Sequence, residues 1–191
     1  MKIILSNQWL DSIDMNAMEN VPPYNQQYFP MASGQEHYRL LVHLGYCFNG
    51  VTIADLGTNR GASALALGQN KSNKIYTLDI ENILENDIKM DNVEFKIGNF
   101  MENEEIQKKI LSSEMILLDL NHEYVYEIWI YDFLVRNNWK GMMVCDDIHY
   151  FEGMRRFWSE VSHTKVDLSK YGHSAGTGCI LFGDDIEFEM L

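Results

Sequence analysis

Residues 51–67 form a strand–turn–helix pattern that constrains the fold more than any other part of the 191-residue chain. The apolar run 51–56 predicts a buried strand, and a helix opens after a turn that contains Gly57 and Gly61. An acidic residue, Asp55, stands just before this turn. Glycine lets the backbone approach a ligand closely, and a helix N-terminus offers unpaired N–H groups. The pattern therefore indicates an α/β protein that binds a nucleotide-like ligand at the turn.

Strand candidates alternate with helix candidates along the rest of the chain, and most strands are continuous apolar runs that suit a parallel sheet buried on both faces. We predict strands at 51–56, 74–80, 93–98, 115–120, 142–148, 165–168 and 178–182. We predict helices at 33–48, 62–69, 104–111, 125–135 and 151–161, with at most two helical turns in the link 81–92. The sequence thus predicts one domain of the α/β class, doubly wound and Rossmann-like, with helices on both faces of a mostly parallel sheet. It divides into an N-terminal helical or lid segment, 1–50, and a core, 51–191.

Charge and composition narrow the classes of partner. The formal net charge of −13 disfavours a phosphate backbone, so we expect no nucleic-acid partner. The sequence contains no apolar run of membrane-spanning length and no secretory signal pattern, so we expect no membrane partner. Three isolated cysteines, Cys47, Cys145 and Cys179, predict free thiols in a reducing compartment, and hence a cytoplasmic protein.

The spacing of the glycines decides which nucleotide-like cofactor is favoured. A dinucleotide fingerprint requires a glycine two residues after the first, and Asn59 occupies that position. The run Asp-Leu-Gly-Thr-Asn-Arg-Gly-Ala-Ser resembles the first motif of class I S-adenosylmethionine-dependent methyltransferases, in which the turn wraps the amino-acid end of the cofactor. The resemblance implies cofactor contacts at Asp55, Gly57, Thr58, Asn59, Gly61 and Ser63. Ser63 has capping of the helix as its alternative role, and Arg60 either pairs with the cofactor carboxylate or is an exposed side chain.

The ends of the next two strands supply further cofactor contacts. Asp79 ends the second core strand, where its carboxylate would accept hydrogen bonds from ribose hydroxyls, as an acidic residue does in the resembled family. Ile80 follows it. Asn99 ends the third strand and is a candidate for the adenine edge, although the family more often has an acidic residue there. Asp119, at the end of the fourth strand, is a candidate both for cofactor contact and for chemistry.

Three carboxylates are expected at neighbouring strand ends: Asp119 after the fourth strand, and Asp146 with Asp147 after the fifth. Like charges at the end of a buried sheet repel each other, and a divalent cation relieves this repulsion. Oxygen ligands suit Mg²⁺, with Mn²⁺ or Ca²⁺ as alternatives, and a transition metal using nearby histidines ranks lower.

A second resemblance rests on Asp119, His122, Trp139, Gly141 and the Asp146-Asp147 pair, with residues 176–182 similar to the family's last strand. This combination resembles the metal-dependent O-methyltransferases of the catechol-type and macrolide-sugar-type branches. The resemblance implies that the three aspartates bind Mg²⁺, which holds two neighbouring substrate hydroxyls, and that His122 removes the proton. It also implies a seven-stranded sheet whose last strand is antiparallel.

Several side chains have two alternative predicted roles. His122 either acts as the base or caps the following helix, and Asp119 could act as a base without any metal. His149 is either a further ligand or a surface residue. The loop 169–177 brings His173 and Tyr171 to the substrate only if the sixth core strand is parallel to the others. The segment 21–30, which contains the three prolines, is either a lid or packed against the first helix.

The sequence therefore predicts an O-methyltransferase that uses S-adenosylmethionine, assisted by Mg²⁺, and methylates a small hydroxylated molecule such as a sugar or a catechol-like diol. The alternatives are a metal-independent methyltransferase, an NAD-binding oxidoreductase and a non-catalytic binding module. The acceptor itself is not readable from the sequence, and a homo-oligomer is left open.

Overall fold

A computed structural model describes residues 1–84 and 90–191. The strands are β1 (Lys2–Leu5), β2 (Thr52–Leu56), β3 (Lys74–Asp79), β4 (Val93–Ile97), β5 (Met115–Leu118), β6 (Met142–Cys145), β7 (Thr164–Asp167), β8 (Gly178–Leu181) and β9 (Glu187–Met190). The helices are α1 (Asn7–Asp11), α2 (Tyr38–Cys47), α3 (Ala62–Leu67), α4 (Glu104–Leu111), α5 (Tyr124–Arg136) and α6 (Glu152–Glu160), with short 3₁₀ turns at Met15–Ala17 and Pro23–Asn25.

Seven strands form one sheet in the order β4-β3-β2-β5-β6-β8-β7. Strands β2 to β6 pair in parallel, and β8 is antiparallel to both of its neighbours, so β7 runs parallel to the rest. The predicted Rossmann-like sheet is therefore confirmed, including its single antiparallel strand. The chain leaves β2 toward β3 on one side and returns to β5 on the other. Ligands of such sheets bind where the strand order reverses, beyond the carboxyl ends of these two strands.

The sheet separates two hydrophobic cores. Alternate residues of one strand point to opposite faces, so Met115 and Leu117 of β5 join one core while Ile116 and Leu118 join the other. Helices α2 and α3 cover the first face, and α4, α5 and α6 cover the second. Because both faces are buried, the inner strands are mostly apolar, which is why they could be predicted from the sequence.

The chain ends pair with each other, which the sequence did not predict. Strand β1 lies parallel to β9 in a separate two-stranded sheet, with Ile3 beside Phe188 and Leu5 beside Met190. Ile3 and Leu5 are fully buried in the first core. Two strands of four residues at opposite ends of a chain carry only a weak local signal, and the pairing itself is non-local.

The first long helix begins later than predicted. Helix α2 starts at Tyr38, whereas the periodicity predicted a start near residue 33. Gly34 has a left-handed φ of 81°, and a Cβ atom there would lie 2.7 Å from the backbone oxygen of Lys170. This close approach of two backbones stops the helix from extending backward, and it leaves residues 35–37 in a turn that faces the carboxyl end of the sheet.

Three further predictions concern the cysteines, the link 81–92 and membrane-spanning helices. Cys145 and Cys179 are buried free thiols, as expected, and Cys47 is partly buried. The link 81–92 includes residues 85–89, so the prediction of a short helix there lies outside the described residues. Within the described part of the chain, every helix is too short or too polar to span a membrane.

Candidate active site

The glycine turn links β2 to α3 and packs against the end of β5. Gly57 has a φ of 106°, and its N–H donates to the backbone oxygen of Leu78 at 2.9 Å. A Cβ atom at this position would lie 1.7 Å from the backbone oxygen of Asp119, so only glycine fits. The turn residue Asn59 is also left-handed, with φ 46°. The sequence thus folds locally into a turn pressed against the strand that carries the first candidate catalytic aspartate.

Asp79 fixes the position of this turn. Its Oδ2 atom accepts a hydrogen bond from the N–H of Asn59 at 2.8 Å, and its Oδ1 atom accepts from the N–H of Ile80 at 2.7 Å. Its carboxylate lies at the rim of a cavity of about 360 Å³, a volume within the range of small-molecule sites. Predicted site residues that line the cavity are Gly57, Asn59, Asp79, Ile80, Asn99 and Asp119.

Among the residues that the structure describes, four of the predicted cofactor residues do not line this cavity. They are Asp55, Thr58, Gly61 and Ser63. Asp55 is fully buried beneath the turn and accepts hydrogen bonds from the hydroxyls of Thr77 and Ser63, at 2.7 and 3.0 Å. Burial raises its pKa to about 6, and these two hydrogen bonds offset only part of that effect. Capping by Ser63 is therefore wrong, because its hydroxyl is engaged with Asp55 and helix α3 has no side-chain cap. A cofactor contact at these four positions stays a prediction.

The three predicted aspartates do lie at adjacent strand ends. Leu118 of β5 pairs with Cys145 of β6, so the residue after each strand stands beside its neighbour. Burial and the nearby carboxylate of Asp146 raise the pKa of Asp119 well above its usual value. Burial acts on Asp146 in the same direction, but its partner His37 holds the pKa of Asp146 below the usual value. The two carboxylates therefore have different environments, although they are neighbours.

Glu36 and His37, which the sequence analysis missed, enter the site from the turn before α2. The Nδ1 atom of His37 lies 3.1 Å from Oδ1 of Asp146 and 3.7 Å from Oε1 of Glu36. Burial lowers the pKa of His37, but the surrounding carboxylates outweigh it and raise this pKa to about 10. The imidazole is therefore a buried cation at neutral pH. The two residues lay inside a stretch predicted to be helix, and no local pattern marked them.

The loop between β7 and β8 supplies a second histidine. Since β7 runs parallel to the main strands, this loop emerges at the same edge, as the conditional prediction required. The Nδ1 atom of His173 lies 3.0 Å from Oδ1 of Asp147, and its Nε2 atom lies 3.6 Å from Oε2 of Glu36. Tyr171 does not reach the site, because its ring is fully buried and its hydroxyl donates to the backbone of Leu191.

His122 stands at the mouth of the carboxylate cluster. Its ring stacks on Phe151, with a centroid separation of 4.8 Å and an interplanar angle of 9°. Its Nε2 atom lies 3.5 Å from Asp147 and 3.7 Å from Asp119. Burial lowers its pKa below 6.5, so the ring is neutral at neutral pH and able to accept a proton. The alternative role as a helix cap is not observed, since α5 has no side-chain cap at its N-terminus.

A buried carboxyl group, also missed by the sequence analysis, lies close behind His122. Glu127, in the first turn of α5, has no exposed surface, and neither of its carboxylate oxygens makes a hydrogen bond of good geometry with the described residues. Burial raises its pKa to about 8, and the backbone N–H of His122 offsets only part of this rise. Glu127 is therefore largely protonated at neutral pH. A single acidic residue inside a helix gives no sign from sequence that it faces inward.

The remaining alternatives are partly resolved. His149 is half exposed and pairs with Asp167 at 2.8 Å, apart from the carboxylate cluster. The segment with the three prolines packs against α2, as one alternative proposed: Phe29 is buried against the ring of Tyr38 at 4.8 Å. Arg60 lies 4.2 Å from the ring centroid of Tyr24, so the same segment also contacts the glycine turn.

The cluster offers donor atoms suited to a divalent cation. In one group, His37, Asp119 and Asp146 each place a donor atom within 4.8 Å of the others, and in a second group Asp146, Asp147 and His173 do the same. The three predicted aspartates are thus divided between two groups that share Asp146. Carboxylate and imidazole donors in this number fit a metal ion chemically.

Known structures resemble this chain in fold. No protein-family model matches the sequence, and no curated protein matches it at a significant level. The methyltransferase PaMTH1 from Podospora anserina, solved with SAH bound, is 12% identical over 93% of each chain, with a TM-score of 0.59. A Staphylococcus aureus protein described as a caffeoyl-CoA O-methyltransferase is 14% identical over 76% of this chain and 82% of its own, with a TM-score of 0.58. Cofactor-bound Rv0187 from MTB is 13% identical over 92% of this chain and 87% of its own, with a TM-score of 0.54. At these identities the likeness establishes the fold, which is that of the class I S-adenosylmethionine-dependent methyltransferases.

Proposed function

We propose that the protein is an S-adenosylmethionine-dependent O-methyltransferase that acts on a hydroxyl group of a small molecule. The observation that carries this proposal is the continuity of two features at one sheet edge. The cavity beside Asp79 extends to Asp119, and Asp119 lies 3.7 Å from the candidate base His122. A cofactor in the cavity would therefore have its far end next to the carboxylate cluster.

In the proposed cofactor complex, the carboxylate of Asp79 accepts hydrogen bonds from the ribose hydroxyls, and Asn99 faces the adenine. Both line the cavity, and Ile80 adds apolar surface to it. The turn at Gly57 and Asn59 holds the backbone close to the ligand. This proposal agrees with the SAH bound to PaMTH1 and the cofactor bound to Rv0187, which share the fold.

Acceptor activation would use the carboxylate cluster together with His122. A divalent cation held by Asp119, Asp146 and Asp147 would stabilise the anion of an acceptor hydroxyl. His122 would accept the proton, because its lowered pKa leaves one ring nitrogen unprotonated at neutral pH. The stacked ring of Phe151 fixes the plane of the imidazole, so the base is oriented before the acceptor arrives.

A metal-independent methyltransferase is the second candidate, and one contact favours it. The cationic His37 already balances the charge of Asp146, which reduces the repulsion that a metal ion would otherwise relieve. In this version Asp119 and His122 alone would activate the acceptor.

Calorimetric titration separates these proposals from the other classes. We expect S-adenosylhomocysteine to bind and NAD to show no heat of binding. Methyl transfer to a panel of catechols and sugars, with and without a chelator, then tests the activity and its dependence on metal. Binding of NAD without S-adenosylhomocysteine would rule out the methyltransferase proposal.

A further inference from the structure

We propose that Glu127 is a positioning residue for the candidate base His122: its buried carboxyl group holds the backbone N–H of His122 and so keeps the imidazole aimed at the carboxylate cluster. This proposal rests on the proposed function for the role of His122 as the base. It assigns a task to a buried acidic side chain that the proposed mechanism does not otherwise use.

The position of Glu127 in α5 is the first observation. Glu127 lies on the buried stripe of the helix, whose other buried residues are Ile130, Tyr131, Phe133 and Leu134. A carboxyl group gives up its hydration when it is buried there, whereas an apolar side chain would simply pack in the core. Both carboxyl oxygens are shielded from solvent, and neither makes a hydrogen bond of good geometry with the described residues. Packing alone therefore does not account for an acidic residue at this position.

The backbone of His122 is the second observation. Its φ of 61° lies in the left-handed region, which a non-glycine residue adopts only where its surroundings hold it. Helix α6 packs against the carbonyl group, since a Cβ atom on Gly153 would lie 2.3 Å from the backbone oxygen of His122. The N–H of His122 faces the carboxyl group of Glu127 in α5. The strained residue is therefore held between two helices.

The direction of the imidazole depends on this backbone conformation. The ring stacks on Phe151, and its Nε2 atom lies 3.5 Å from Oδ2 of Asp147. A change of φ to the extended region would redirect the side chain and remove both contacts. Among the described residues, Nδ1 of His122 has no hydrogen-bond partner, so no bond to that nitrogen takes over the orientation of the ring. The support from Glu127 thus acts on the ring through the backbone.

The neutral state of the carboxyl group suits this role. Burial raises the pKa of Glu127 to about 8, so its carbonyl oxygen accepts from the N–H of His122 without placing a negative charge beneath the base. The other titratable group close to Glu127 is the thiol of Cys145 in β6. Burial and the nearby Glu127 raise the pKa of this thiol, so it is neutral as well.

Two substitutions of similar size separate positioning from packing. Glu127→Gln keeps a carbonyl oxygen for the N–H of His122, and Glu127→Leu removes it. We expect Glu127→Leu to slow single-turnover methyl transfer by about 10- to 100-fold because the base is misplaced, while Glu127→Gln retains most of the rate. The free energy of unfolding of Glu127→Leu should be unchanged or higher, since an apolar side chain replaces a buried polar group without a good partner. Glu123→Leu is the matched control, because it makes the same change at an exposed position next to His122 and should leave the rate unchanged.

A second measurement needs neither cofactor nor acceptor. The backbone amide resonance of His122, followed by NMR as pH is raised, should shift with a midpoint of about 8 as Glu127 loses its proton beside it. This shift should be absent in Glu127→Gln, whose side chain does not titrate.

An unchanged rate in Glu127→Leu, or a Glu127→Gln variant as slow as Glu127→Leu, would overturn the proposal. So would a Glu127→Leu protein that loses stability together with rate, or an amide of His122 that does not respond to Glu127. Failure of the proposed function is a different result: the unmodified protein would then transfer no methyl group and bind no S-adenosylhomocysteine, while the amide resonance would still report the contact.

Discussion

The imidazole of His37 and the carboxylate of Asp146 form a buried pair although 109 positions separate them in sequence. Their side chains are only 6% and 8% exposed, and the donor and acceptor atoms are 3.1 Å apart. The contact joins the turn before α2 to the end of β6, so it fixes the N-terminal segment onto the carboxyl edge of the sheet.

Replacing His37 with alanine should lower the free energy of unfolding by about 3 kcal/mol, because Asp146 would be left buried without its counter-charge. Chemical denaturation of both proteins measures the loss. His149→Ala removes a half-exposed histidine from its pair with Asp167, so it should lower the free energy of unfolding by less than about 1 kcal/mol. Equal losses in the two variants would show that the buried pair stabilises the fold no more than the half-exposed pair does.

Gly57 and Gly50 provide a matched test of the glycine turn. Both have left-handed φ values, 106° and 72°, but a Cβ atom at Gly57 would meet the backbone of Asp119 while one at Gly50 would meet nothing within 4 Å. Gly50→Ala should therefore lower the free energy of unfolding by about 1 kcal/mol, through backbone strain alone. Gly57→Ala should lower the free energy of unfolding by at least about 2 kcal/mol more than Gly50→Ala does, or prevent folding. Thermal unfolding measures both, and a similar effect in each variant would contradict the close approach.

Asp79→Ala should weaken binding of S-adenosylhomocysteine by roughly 10- to 100-fold, since charge-assisted hydrogen bonds to the ribose and to the N–H of Asn59 are lost together. Calorimetry measures the dissociation constant. The control is Glu81→Ala, which removes an exposed carboxylate two residues away. Unchanged affinity in Asp79→Ala would remove this residue from the cofactor site.

His122→Ala should slow single-turnover methyl transfer by about 10²- to 10⁴-fold and leave the affinity for S-adenosylhomocysteine unchanged. In the unmodified enzyme, the rate should rise with pH as His122 loses its proton, with a midpoint below 6.5 because burial lowers its pKa. Rapid quenching of the reaction measures the chemical step. A variant that keeps the full rate would exclude His122 as the base.

Glu127 should make the stability of the protein depend on pH. Its pKa in the folded protein is about 8, above the ordinary value of 4.5, so its contribution is present below pH 4.5 and is lost as pH rises through 8. Relative to Glu127→Gln, the free energy of unfolding of the unmodified protein should therefore fall by up to about 1.4 kcal/mol per pH unit within this window. Denaturation at several pH values measures the difference, with Glu123→Gln as an exposed control. Parallel curves for the unmodified protein and Glu127→Gln would contradict the shifted pKa.

Local sequence patterns were sufficient to predict the sheet and the edge at which the candidate site lies. The strand from Thr52 to Leu56 and its neighbours are mostly apolar because both faces of the sheet are covered. Their alternation with helices then allows few topologies. Once the strands are parallel, Asp79, Asp119 and Asp146 must lie at the same edge.

The contacts that complete the site depended on the tertiary structure. The sequence by itself determined the fold class, the glycine turn and the three aspartates, because each follows from the residue types within one short segment. Only the folded chain determined that Glu36, His37 and His173 join those aspartates, and that β1 pairs with β9. These are contacts between distant segments, and their geometry is set by backbone packing such as that of Gly34 against Lys170. No local periodicity records such packing.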